Sequence, residues 1–264
     1  MPKKEKPVKR ILNCSPSQKT EKDWEFTHAI KSELIAAPGP IPGLVDLRNL
    51  WWNIGDQEAT GSCVGWATAD SVLRYHFVKA GRLPESELLS VRYIWMAAKE
   101  LDEFVSPATT FIEEEGTSLK AALDVARKYG VVLNKTLPFD PPQLYPGDEK
   151  TFYALAAKLK ITAYFNLRTN LANWRTWLAT QGPILTRLSV DATWDNATET
   201  QGNLDTYQSE TERGGHAVAL VGYTSDRFIV RNSWGTQWGD KGFGYASMAY
   251  AQAAFTEAYG VSVA

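Results

Sequence analysis

The chain has 264 residues, 44% hydrophobic and 22% charged, a globular balance that excludes a disordered or collagen-like polypeptide. A chain this long hides roughly 70–75% of its unfolded surface and fits one large domain or two modest lobes. Lys plus Arg number 28 and Asp plus Glu 30, so a net charge of −2 leaves no general footprint for nucleic acid, and no apolar run is long enough for a membrane span.

Residues 1–44 differ from the rest. A basic head, Met1–Arg10, is followed by no apolar core of a secretory signal. A polar stretch, Ser15–Thr20, and a mixed stretch, Asp23–Ala37, lead into Pro38-Gly39-Pro40-Ile41-Pro42-Gly43. Proline at this density stops helix and central strand alike, so the run reads as a stiff connector. The segment is expected to be a strap on the body or a short pro-segment.

From Ser62 the pattern is helical, with Trp66, Ala69, Leu73 and Phe77 on one face and Gly81 and Pro84 closing it. A second helix is predicted from Pro84 to Leu101 on the stripe Leu88, Val91, Ile94, Trp95 and Ala98. A third runs from Thr117 or Ser118 to Tyr129, with Gly130 at C′. Pro138, Pro141, Pro142 and Pro146 mark a loop between halves. After a helix near 170–181, strands are expected at 182–190, 217–223, 228–232 and 242–246. Helices first and strands later give an α+β protein, with a helical lobe over 45–150 and a β-rich lobe over 151–264.

The two cysteines, Cys14 and Cys63, allow at most one bridge, which favours a reducing, cytoplasmic setting. Two cysteines and three scattered histidines offer no ligand-spaced set, so neither metal nor cofactor is expected. Cys14 reads as an ordinary thiol of the extension, His28 and His76 as structural, and Glu113-Glu114-Glu115 as a solvated loop. Trp51, Trp52, Trp66 and Trp95 read as packing residues.

Cys63 opens a helix, where the positive end of the helix dipole favours the thiolate. A histidine from elsewhere could move its proton, and a third residue could orient the imidazole. DQEATGSCVGWA, GGHAVALVGY and RNSWGTQWGDKGFGY stand in this order, with Gln57 six residues before Cys63 and Asn232 sixteen after His216. These three stretches resemble the motifs of papain-like cysteine proteases in their looser bacterial form. LSVRYIWMAAKELD and EGTSLKAALDVARKYGV are similar to further family segments.

The resemblance implies a two-lobe fold, with a helical left lobe, an antiparallel barrel-like right lobe and the active site in the cleft between them. It implies a cysteine endopeptidase working through an acyl-enzyme on Cys63. His216 would be general base and then acid, and Asn232 its orienter. The Gln57 side chain and the Cys63 N–H would form the oxyanion hole. Substrate-contacting positions would be Trp234, Trp238, Arg187, Gly116 and Ala217, with Trp234 also sheltering the His–Asn hydrogen bond and Trp238 lining the prime side.

The chain departs from the family at Thr60, where a disulfide cysteine is common, at Val64, and at Glu58, where Gly usually follows the oxyanion Gln. Arg187, four residues after Pro183, falls where the family's S2 pocket is lined, which leaves two readings open: it favours an acidic P2 side chain, or it points away and pairs with a surface carboxylate. The implied partners are a peptide or protein substrate and, as an open alternative, a regulatory protein, with no nucleic acid. Two other readings stay open: a catalytically weak binding protein of this fold, and a peptide ligase or transpeptidase using the same nucleophile.

Overall fold

A computed structural model describes residues 9–102, 113–143 and 145–263. The first long helical run begins at Cys63, as α2 (Cys63–Gly65). It continues through a π-helical stretch, Trp66–Leu73, into α3 (Arg74–Lys79). Ser62 stands at the N-cap position, but its hydroxyl bonds Thr60 Oγ1 at 2.6 Å instead of capping the helix.

The second helix is shorter than its apolar stripe suggests. Residues 84–90 form turns and coil, and α4 (Val91–Leu101) starts where the Ser90 hydroxyl accepts the Tyr93 N–H. The Ser90 backbone N–H meanwhile donates to Val132, so this residue ends one segment and caps the next. Ser118 caps α5 (Leu119–Lys128), and Gly130 takes φ +96° just beyond its end. An unpredicted helix, α6 (Glu149–Ala156), starts behind the proline loop, with Asp148 accepting the Thr151 N–H.

The second half carries β2 (Ala163–Asn166), α7 (Leu171–Thr180), β3 (Ile184–Val190), β4 (Asn203–Leu204), β5 (Gly214–Tyr223), β6 (Arg227–Arg231), β7 (Phe243–Ser247), α8 (Met248–Ala254) and β8 (Phe255–Ser262). The sheet order is β2-β8-β3-β5-β6-β7-β4, and β1 (Val45–Asp46) also pairs with β5. All pairings are antiparallel except β4 with β7. The expected barrel-like lobe is corrected to an open sheet ending at β2 and β4. At the β2 edge the partner is the strap: the Asn166 N–H donates to the Trp24 carbonyl, and Glu25 bridges Asn166.

Strand β5 divides two cores by the alternation that a pleated strand imposes. Ala217, Ala219 and Val221 face the helices, whereas Val218 and Leu220 join Trp174, Trp177, Trp194 and Phe228 on the other side. Helix α1 (Phe26–Lys31), within the strap, buries Phe26 and Ala29 in that second core, with Phe26 edge-on to Trp177 at 5.7 Å. Arg231 at the end of β6 reaches the helical run, pairing with Asp70 at 2.7 Å, donating to the Asn53 carbonyl and lying over the Trp52 ring.

Candidate active site

Gly65 seats the Cys63 end of the helical run close to α4: a β-carbon there would lie 2.8 Å from the Val91 carbonyl oxygen and 2.9 Å from Trp95. Cys63 is thereby a buried residue at the head of a helix packed under β5. His216, the third residue of β5, and Asn232, just past β6, are also buried. The His216 ring Nε2 lies 2.8 Å from Asn232 Oδ1. That oxygen also accepts the Ser233 backbone N–H at 2.8 Å, which fixes the amide orientation and assigns the imidazole proton to Nε2. Nδ1 has no other partner among the described residues and is the ring nitrogen left for Cys63.

The Cys63 thiol is held well below its ordinary pKa. A hydrogen bond from the Cys14 thiol is the main cause, acting against burial and helped by the hydrogen bond and charge of His216 and by the Ala217 N–H. Cys14 shifts oppositely: burial, then its contact with Cys63, pushes it well up. The two thiols are thus pushed in opposite directions, Cys63 toward the more acidic side and Cys14 toward the less acidic.

Gln57 is buried beside this group. Ser233 Oγ donates to its Oε1 at 2.9 Å, which turns the amide so that Nε2 is the donor end, with one N–H on the Thr60 carbonyl at 3.1 Å. Glu58, in the place where the family usually has glycine, adopts φ +53° and donates its N–H to Asp56 Oδ1.

Two indoles flank the imidazole and a third backs them. Trp234 lies 5.0 Å from the His216 ring and Trp194 stands edge-on to it at 5.6 Å, while Trp238 stacks on Trp194 at 4.8 Å. Trp194 Nε1 donates to the Tyr250 hydroxyl, which donates to buried Asp191. Sequence reasoning found neither Trp194 nor Ser233. Trp194 ends a three-residue 3₁₀ helix, Ala192–Trp194, too short to carry a period, and Ser233 was legible only as part of the Asn-Ser-Trp-Gly stretch.

Of the remaining sequence-derived positions, Gly116 and Arg187 face the strap. Gly116 and Gly215 stand on opposite walls of the cleft: β-carbons there would lie 2.2 Å from the Asn13 carbonyl oxygen and 2.3 Å from that of Cys14. The Cys14 N–H donates to the Gly215 carbonyl and the Ser15 N–H to that of Thr117. Arg187 shares the parity of Leu185 on β3, which faces the helical core. Its Nε donates to the Cys14 carbonyl at 2.9 Å and its Nη1 to Thr256.

Ala217 pairs in register with Arg187, and Trp238 is tied to the Trp194 carbonyl behind the indole group. Arg10 binds Asp56 and the carbonyls of Glu58 and Trp234, its guanidinium over the Trp234 ring. Two readings need correcting. Cys14, read as an ordinary thiol of the extension, is buried in the same core as Cys63 with its N–H on the Gly215 carbonyl. The 113–115 stretch is more than a solvated loop, because its carbonyls accept from Gly61, Asn13 and Trp95.

No helix among the described residues is long and apolar enough to cross a membrane. Among solved structures, xylellain, a cysteine protease from Xylella fastidiosa, superposes with a TM-score of 0.80 over 98% of both chains at 21% identity, a likeness of fold. An uncharacterised peptidase C1-like protein of Acanthamoeba polyphaga mimivirus is 26% identical over 253 residues, which is 91% of this chain and 78% of that one. A cysteine proteinase of Theileria parva is 28% identical over 206 residues, covering 72% of this chain and 39% of that longer protein. The family model described as papain family cysteine protease matches residues 41–261, and by that match the chain belongs to the papain family of cysteine proteases.

Proposed function

We propose that the chain is a cysteine endopeptidase kept latent by its own N-terminal strap, with Cys63 as nucleophile. The observation that carries this reading is the 2.8 Å bond from His216 Nε2 to Asn232, which leaves Nδ1 for a buried thiol at the head of a helical run. In this reading the Cys63 thiol gives its proton to His216 Nδ1 and its sulfur attacks the scissile carbonyl carbon, so the imidazolium holds the proton that the leaving amine later takes as the C–N bond breaks. The Gln57 Nε2–H and the Cys63 N–H receive the negative charge on oxygen. His216 then protonates the leaving amine and later takes a proton from the water that frees the acid from sulfur. The Trp234 and Trp194 rings keep water from the imidazole–amide bond.

Latency is supported by the path of the strap. Arg10 lies on the Trp234 side, Cys14 at the nucleophile, and Ser17 on the Glu257 carboxylate at 2.9 Å. By the resemblance, Trp234 and Trp238 mark the prime side and Gly116 and Arg187 the unprimed side. The strap therefore runs opposite to a substrate. Its hydrogen bonds to Gly215 and Thr117 hold it without presenting a carbonyl carbon in the productive sense.

Arg187 belongs to the same proposal as the residue favouring an acidic P2 side chain. Glu257 is its register partner on β8, and burial pushes the Glu257 carboxyl pKa up, weakening that carboxyl's claim on the guanidinium. A clear preference for P2-Leu over P2-Glu peptides would remove this part.

The main test uses the full chain and a form lacking residues 1–17. The shortened form is expected to hydrolyse peptides and to be labelled by an epoxysuccinyl or chloromethyl ketone inhibitor. Cys63→Ala is expected to abolish both. Turnover that survives Cys63→Ala would overturn the reading.

A further inference from the structure

We propose that Cys14 and Cys63 form a disulfide site, in which a hydroperoxide oxidises Cys63 and Cys14 resolves the product, fixing the strap covalently in the cleft. They are the chain's two cysteines, and both are buried. Both belong to one buried core, and the Cys14 N–H donates to Gly215 on β5, the strand under which Cys63 packs, so the fold brings together segments 49 residues apart.

The contact is built rather than incidental. The Cys14 backbone is held by its N–H on the Gly215 carbonyl at 3.0 Å and by the Arg187 Nε on its own carbonyl at 2.9 Å. The preceding residue lies against Gly116, where a side chain would not fit. Arg10 and the Asp23 cluster anchor the strap on either side. Asp23 receives the Tyr259 hydroxyl, the Asn166 amide and the Lys120 ammonium. Cys14 therefore has few places to go other than onto the Cys63 sulfur.

The two sulfurs are unequal in the way that the chemistry requires. Cys63 is the stronger acid of the two and Cys14 the weaker. When the strap lifts, the Cys63 thiolate attacks a peroxide oxygen. An S–O bond forms, the O–O bond breaks, and the departing alkoxide or hydroxide takes up a proton as alcohol or water. Sulfur has lost two electrons to the peroxide and stands as a sulfenic acid.

Return of the strap brings Cys14 to that sulfur. The S–S bond forms as the S–O bond breaks, and hydroxide leaves with the Cys14 proton as water. In sum, two thiols and one hydroperoxide yield one disulfide, one alcohol or water from the peroxide, and one further water. Thiol reductants reverse the bond by exchange. The site does not depend on the peptidase reading, because its formation is read by mass rather than by turnover.

The reduced full chain is treated with stoichiometric hydrogen peroxide, quenched with an alkylating agent and digested without reductant. The expected product is a Cys14–Cys63 linked peptide, with an intact mass lower by about 2 Da that dithiothreitol restores. Cys14→Ser keeps the size of the side chain and the backbone contacts. In it, the expected product is Cys63 carrying added oxygen, advancing to the sulfinic state about 32 Da heavier, which dithiothreitol does not reverse. The proposal is overturned if Cys63 gains oxygen in the full chain while Cys14 stays alkylatable and no linked peptide appears. It is equally overturned if Cys14→Ser leaves the rate of irreversible Cys63 oxidation unchanged.

Discussion

The Ser233 hydroxyl fixes how the Gln57 amide is turned. Its bond to Oε1 makes Nε2 the donor, so Ser233 is a positioning residue acting through Gln57. Losing an oxyanion donor outright costs about 10²–10³ in rate. Ser233→Ala, which frees the amide to turn without removing it, is expected to lower kcat by about tenfold with KM little changed, a split that a merely structural role would not produce. Glu58 makes an opposite case. A side chain at φ +53° costs roughly 1–2 kcal/mol, which offsets the usual penalty of introducing glycine. Glu58→Gly is therefore expected to leave the denaturation midpoint unchanged or raised. The three motifs were legible because the proposed chemistry restricts the residue types at Cys63, His216 and Asn232. Trp194 was not, since an indole in a three-residue 3₁₀ helix carries no periodic signal until the chain folds it against His216.

Among the elements, the strap does two jobs with different parts. Phe26, Ala29 and Ile35 are core residues, whereas Arg10 to Ser17 occupy the cleft. Phe26→Ala is expected to cost about 3–5 kcal/mol in urea unfolding, as for other buried large-to-small changes. Deleting only residues 1–17 is expected to spare the fold while raising the rate of Cys63 alkylation and peptide hydrolysis at least about tenfold, the signature of an occupied cleft being vacated. Caps and strand alternation announced α5, α7, β3, β5, β6 and β7 in the sequence. The starts that misled were those where tertiary partners decide, as at Ser90, whose N–H is taken by Val132. The helix α6 hid behind a proline loop, and β8 reads FTEAYGVS, too mixed for alternation because it packs into the sheet between β2 and β3.

At the level of the whole molecule, Arg231 ties the sheet to the helical run. Its guanidinium meets Asp70, Ser71 and the Asn53 carbonyl in buried surroundings, with Arg74 3.6 Å from the same carboxylate group. Removing one partner leaves a buried charge uncompensated, so Arg231→Ala is expected to cost about 3–5 kcal/mol.

His76 sets an acid limit. Burial lowers its pKa from 6.5 to about 4, with a backbone bond to Pro183 opposing the fall. Between those values the unfolded chain binds a proton that the folded chain refuses, so stability declines as pH drops from 6.5 toward 4 and levels off below. The expected contribution is about 3 kcal/mol. It is checked by urea midpoints at pH 7 and 4.5 for the natural chain and His76→Gln, whose pH dependence should be shallower.

The paired glycines at 116 and 215 carry a consequence for what the enzyme can tell apart. Bare walls on both sides admit the main chain of an extended peptide at van der Waals distance, whatever its sequence. Gripping at that level is generic. In the proposed function, discrimination is pushed outward to the ends of the groove, where Arg187 with Glu257 and the Asp56–Trp234 corner offer charge and aromatic surface for a peptide to match.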